Sequence, residues 1–179
     1  MDRFFLGILK WLMVFLCLAR PCLLSAQDFL AVGARGGFSF NVAQHRFQKA
    51  EGFADFDLPW HWDFYSRWRL QPRFELSAGD LNNQHANAFI GTAGLLAELR
   101  PGKFPFALEG GSSPTLISRY QFGGMNFGER FQFTTHVGLA WYLTERVSIG
   151  YRFEHMSNAG LASPNPGLNL EMLELTYHF

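Results

Sequence analysis

The segment Arg152-Phe153-Glu154-His155-Met156-Ser157-Asn158 carries a histidine and a serine two positions apart, and both continue the apolar stripe Val147, Ile149, Tyr151, Phe153. In an extended chain alternate side chains share a face, so His155 and Ser157 stand together on a surface otherwise made of hydrocarbon. Polar groups placed there are costly unless they are partnered or useful. Cβ atoms two residues apart are separated by about 6.5–7 Å, a gap that an imidazole and a hydroxyl leaning together can close with one hydrogen bond. The chemistry this offers is nucleophilic: His155 takes the Ser157 proton as the hydroxyl attacks an ester carbonyl. A third group must hold the imidazole tautomer. Asn169 and Glu171, which share parity with Leu173, Leu175 and Tyr177, come alongside His155 if the last two segments pair antiparallel. Oxyanion donors would come from Asn158, the loop Ala159-Gly160 and Asn165, because glycine admits close backbone approach and asparagine supplies N–H groups.

Strands must present such a pair, and the chain is built of them. Eight runs with a period of two follow residue 28, near 28–40, 53–64, 67–79, 88–100, 104–111, 131–143, 147–157 and 169–179, separated by Gly, Pro, Asn and Asp clusters. The second sets Ala54, Phe56, Leu58, Trp60, Trp62 and Phe64 against Asp55, Asp57, His61 and Asp63. The sixth sets Phe131, Phe133, Val137, Leu139 and Trp141 against Gln132, Thr134 and His136. A soluble sandwich would alternate in the same way, but three features favour an inverted arrangement with the apolar faces outward. Large aromatics such as Trp68 and Trp141 stand at the ends of the apolar faces, as in an interfacial girdle. The polar faces carry Arg69, Arg73, Glu75, Glu98, Arg100, Arg152, Glu154 and Glu174, which can pair inside a narrow barrel. The chain also stops on the alternating stripe Leu173, Leu175, Tyr177, Phe179, an ending like the recognition signal of outer-membrane barrels. The expected fold is therefore all-β, an eight-stranded antiparallel transmembrane β-barrel over residues 27–179.

In such a barrel the short turns are periplasmic and the long loops extracellular. The run 147–157 rises from the turn Leu143-Thr144-Glu145-Arg146, so His155 and Ser157 lie at its outer end and face the outer leaflet. In a Gram-negative envelope that leaflet is largely lipopolysaccharide.

Residues 1–26 read as a cleaved export signal: Asp2 and Arg3 precede the apolar run Phe4–Ala19, broken only by Lys10, and Leu24-Ser25-Ala26 supplies a small residue before a cleavage point. Both cysteines, Cys17 and Cys22, fall inside it, so the mature chain would rely on backbone pairing and packing with no disulfide. Removing Arg3, Lys10, Arg20 and Asp2 with the leader leaves 12 Lys and Arg against 14 Asp and Glu, of 15 and 15 in the full chain. A near-neutral balance gives no reason to expect nucleic acid.

His155-Met156-Ser157-Asn158, followed by Asn165-Pro166-Gly167 and an acidic or amide position soon after, resembles the lipid A 3-O-deacylase (PagL) family of eight-stranded outer-membrane barrels. The motif covers about 20 residues, while the leader, strand pattern and terminal Phe179 agree over the whole chain. The resemblance implies that Ser157 is the nucleophile and His155 its base on a lipid-facing surface, that the 3-hydroxyacyl chain at position 3 of lipid A is released, and that no cofactor is needed. It implies lipopolysaccharide as substrate and outer-membrane lipids as surroundings, and it leaves a homodimer open. One position departs from the pattern. Counted from the serine, the family's glutamate falls on Asn169, and a carboxylate returns only at Glu171. An amide can orient a histidine without stabilising its positive charge, and replacing the acid of a serine triad can cost about 10⁴ in rate. Either Glu171 takes the role, or Asn169 does, or the enzyme is weakened. An outer-membrane phospholipase and a non-catalytic structural or adhesive barrel are the other readings.

The remaining candidates have plainer explanations. Arg152 and Glu154 have inward parity and read as charge partners in the barrel; His61, His136 and His178 read as inward, hydrogen-bonded residues. His45 and His85 show no metal-ligand spacing, so no metal is expected. Gly110-Gly111-Ser112-Ser113-Pro114 reads as the start of a loop, and Gly33-Ala34-Arg35-Gly36-Gly37 as glycine in a bent strand. Arg46, Lys49, Arg119 and Arg130 read as loop charges that could meet lipid A phosphates.

Overall fold

The computed structural model describes residues 29–40, 46–64, 67–102 and 104–179. The expected leader with its two cysteines, and His45, lie outside the described residues. Among the described residues eleven strands form, eight of them long: β1 (Phe29–Ser39), β2 (Gln48–Asp57), β4 (Trp68–Asn82), β5 (Asn87–Pro101), β6 (Phe106–Ile117), β9 (Phe131–Tyr142), β10 (Val147–Ser157) and β11 (Leu168–His178). Each pairs antiparallel with its neighbours; β1 meets β11, and β2 meets β4. The sheet is closed, and the expected eight-stranded barrel is what the chain forms. The short β3 (Trp62–Phe64) lengthens the hairpin before β4, while β7 (Gln121–Phe122) and β8 (Met125–Asn126) make a small ribbon in the longest loop.

Alternation inverts the usual arrangement of a soluble protein. Leu76, Leu95, Val137, Leu139, Ile149, Leu173 and Leu175 lie exposed on the outside, while Arg35, Lys49, Glu51, Glu75, Arg152 and Glu154 are buried within. Buried charges persist only when paired. Arg152 reaches Glu75, Glu109 and Glu174 at 3.1, 2.8 and 3.0 Å, Arg35 joins Glu51 and Glu75 at 2.5 and 2.8 Å, and Lys49 joins Glu51 and Glu154 at 2.7 Å each. Arg152 and Glu154 are thus interior partners, as their parity implied.

Above this network the outer end is closed by hydrocarbon. Phe47, Phe122 and Phe127 meet edge to face and pack with Leu81, Ile90, Ile117, Met156, Leu168 and Leu170. Met156, Leu168 and Leu170 alternate with Ser157 and Asn169, so the strands that carry the candidate pair are anchored from inside by the plug.

Several expectations change. The second strand ends at Asp57, and Trp60, Trp62 and Phe64 belong to a separate segment, because Pro59 has no N–H to continue the ladder. It begins at Gln48 instead, which carries Lys49 out of the loop and into the lumen. His61 and Arg69 are exposed near the short-turn end, each facing Asp63. Gly110–Pro114 is the middle of β6, not a loop; the ladder to β5 lapses only at Ser113 and Pro114. Gly33 and Gly37 do lie in a strand, where a Cβ at Gly33 would collide with the Phe53 ring.

Candidate active site

The register of β10 on β11 decides what stands beside His155. Arg152 faces Met172, Phe153 faces Glu171 and His155 faces Asn169. The imidazole Nδ1 lies 2.6 Å from Asn169 Oδ1. A carbonyl oxygen accepts, so Nδ1 carries the proton and the lone pair is on Nε2, the tautomer a general base needs. Glu171 lies one outward position nearer the membrane centre, opposite Phe153. Of the two candidates for the third group, the strand pairing brings Asn169 to His155 and sets Glu171 against Phe153.

His155 is exposed on the outer face and Ser157 half-buried beside it at the last residue of β10. Among the described residues the Ser157 hydroxyl makes no hydrogen bond. Unliganded hydrolase sites often leave this contact open until substrate binds.

After Ser157 the chain turns back on itself. Ala159 and Gly160 both have positive φ, 53° and 80°, and Leu161 N–H donates to Asn158 O at 3.0 Å, a type I′ turn. The Asn158 side chain is fully buried beneath it. Its amide donates to the carbonyls of Phe127, Ala162 and Pro164 at 2.9, 3.0 and 3.2 Å, and its Oδ1 accepts the Gly160 N–H at 2.9 Å. The Asn158 backbone N–H donates to Asn165 Oδ1 at 3.1 Å. Asn158 and Gly160, read from the sequence as oxyanion donors, are therefore committed to one another and to the loop, where they act as support. The Asn165 amide nitrogen and the Ala159 N–H are left uncommitted among the described residues.

Two features escape a reading of the sequence. Thr135 lies opposite His155 on β9, and Ser112 lies opposite Thr135 on β6, their hydroxyls 3.2 Å apart. Asn169, His155, Thr135 and Ser112 thus form one polar band across the apolar exterior. The signal for Thr135 was present: it interrupts Phe133 and Val137 just as His155 interrupts the stripe of β10. Gly167 is the second feature. It is buried, with φ of 66°, beside the His155 ring.

A family model described as lipid A 3-O-deacylase (PagL) matches residues 48–178. The chain is similar to the lipid A deacylase PagL of Bordetella bronchiseptica (strain ATCC BAA-588 / NCTC 13252 / RB50), 43% identical over 74 residues, covering 41% of this chain and 42% of that protein. The match thus spans less than half the relative's length. Among solved structures it is similar to the outer membrane enzyme PagL, with a TM-score of 0.70 and 20% identity over 82% of this chain and 97% of the other. At that identity the likeness shows a shared barrel fold. By the span of the family match, the chain belongs to the lipid A 3-O-deacylase (PagL) family.

Proposed function

We propose that this protein is a serine esterase of the outer leaflet that releases the 3-hydroxyacyl chain from position 3 of lipid A. The observation that carries the reading is the 2.6 Å contact of His155 Nδ1 with Asn169 Oδ1, made on an apolar exterior face beside Ser157. It supplies a base in the required tautomer where ester-linked lipid would lie. The reaction requires Nε2 within hydrogen-bond reach of the Ser157 hydroxyl, two residues along on the same face of β10. The Ser157 oxygen attacks the ester carbonyl as Nε2 takes its proton, and the carbonyl π pair moves onto oxygen. The Asn165 amide and the Ala159 N–H are the donors nearest in sequence for that oxyanion. Collapse expels the sugar oxygen, which takes the proton from Nε2, and leaves an acyl-Ser157 ester. Water, deprotonated by His155, then releases a free 3-hydroxy fatty acid. Asn169 acts in place of the usual acid: it fixes the ring by accepting the Nδ1–H hydrogen bond, without neutralising imidazolium charge.

The test is to incubate detergent-refolded protein and its Ser157→Ala variant with lipid A, and separately with glycerophospholipid, and to record product masses. Loss of one 3-hydroxyacyl chain from lipid A with the unmodified protein alone is expected. Release of fatty acid from glycerophospholipid instead would make the protein a phospholipase. No mass change, despite the heat-modifiable mobility of a folded barrel, would leave a non-catalytic barrel.

A further inference from the structure

Asn165-Pro166-Gly167 reads naturally as a turn, yet the last of these residues stands against the imidazole. A Cβ on Gly167 would lie 3.0 Å from His155 Cε1, 3.7 Å from Nε2 and 3.9 Å from Nδ1. The ring therefore turns its Cε1 edge, flanked by both nitrogens, toward the bare α-carbon. The ladder between β10 and β11 closes at Met156 opposite Leu168, and one further step of that register sets Gly167 opposite Ser157. Any side chain there would press on the Cε1 edge of the His155 ring.

We propose that Gly167 is a positioning residue for His155: its missing side chain leaves the slot, one register step from Ser157, into which the imidazole leans while Nδ1 stays on Asn169. This rests on the esterase reading above. Two constraints meet at the one position. The left-handed φ favours glycine for backbone reasons, and the ring needs the volume a Cβ would occupy. At a contact near 3.0 Å either the ring or the loop must shift by several tenths of an ångström. The ring is the freer of the two, since it is exposed and, among the described residues, tethered by a single hydrogen bond, whereas Leu168 is locked in the apolar plug. Displacing the ring disturbs proton transfer and leaves lipid binding intact, because the bound acyl chains meet the apolar outer face, while the turn offers its donors only to the oxyanion that forms later.

The experiment uses the full barrel with Gly167→Ala, alone and combined with His155→Ala. Lipid A deacylation is followed together with the NMR resonances of ¹³Cε1-labelled histidines. The single variant is expected to keep heat-modifiable mobility and to lose at least 30-fold in kcat with KM within threefold. It should also move the His155 resonance and leave those of His136 and His178 in place. In the His155→Ala background the same substitution should alter the residual rate by less than twofold, which separates an effect through the ring from backbone strain. A rate within threefold of the unmodified protein, an unmoved His155 resonance, or an equal loss in both backgrounds would overturn the proposal. Should the unmodified protein hydrolyse no ester, the esterase reading fails while the His155 resonance still decides whether Gly167 sets the ring.

Discussion

Replacing Asn169 by alanine removes the hydrogen-bond partner of His155 Nδ1 and leaves Ser157, the loop and the strand pairing in place. The bond lost is short, 2.6 Å, and in the proposed mechanism it becomes charge-assisted as the imidazole takes the serine proton. Hydrogen bonds to charged groups contribute about 1.5–3 kcal/mol. Because this one strengthens in the transition state, its loss appears in kcat as a fall of about 10- to 150-fold. Asn169→Glu should act in the opposite direction. A carboxylate about 4 Å from the imidazolium contributes roughly 1 kcal/mol at water-like screening and about 4 kcal/mol at an effective dielectric near 20. The gain in kcat is then about fivefold or more. Glu171→Gln, at a site facing Phe153, should change the rate by less than about threefold, since it alters no contact of His155. Initial rates of 3-hydroxy fatty acid release from lipid A in detergent micelles, with heat-modifiable mobility as the control for folding, measure all three. If Asn169→Ala stays within threefold of the unmodified protein while Glu171→Gln costs tenfold, the assignment of the third group is refuted.

Other consequences concern the scaffold. Arg152→Met leaves Glu75, Glu109 and Glu174 without their shared cation, and should destabilise the barrel by about 3–5 kcal/mol, read as a lower urea midpoint of the heat-modifiable form. Phe47→Ala empties the centre of the aromatic trio at the outer end and should cost about 3–5 kcal/mol in the same titration. Asn158→Ala removes three hydrogen bonds to loop carbonyls, each with a net contribution of about 1 kcal/mol. Limited proteolysis should then cut at residues 159–166 while the barrel band survives, and deacylation should drop at least tenfold because the turn after Ser157 is no longer held.

Much of this was legible in the chain itself. A period of two survives any register, so the apolar exterior, the charged lumen and the inward parity of Arg152 and Glu154 followed from alternation. His155 and Ser157 stood out because both interrupt a lipid-facing stripe, and Thr135 carried the same mark. Boundaries were less legible where local chemistry misled. The cluster Gly110–Pro114 has the composition of a loop yet forms the middle of β6, since its neighbours on β5 and β9 impose the extended backbone. Lys49 has the composition of a loop charge yet is held in the lumen by Glu51 and Glu154, one of them 105 residues away.

The sequence by itself determined the barrel, its inverted polarity and the pair His155 and Ser157, because each follows from the identity and spacing of residues within one strand. Tertiary structure alone decided that Asn169 and not Glu171 meets the imidazole, that Asn158 clamps its loop, and that Gly167 clears the space beside the ring. Each of these depends on the register of β11 against β10 or on the path of the loop between them. A slip of a single residue in that register would turn every side chain of β11 to the opposite face, and no count along the chain fixes it.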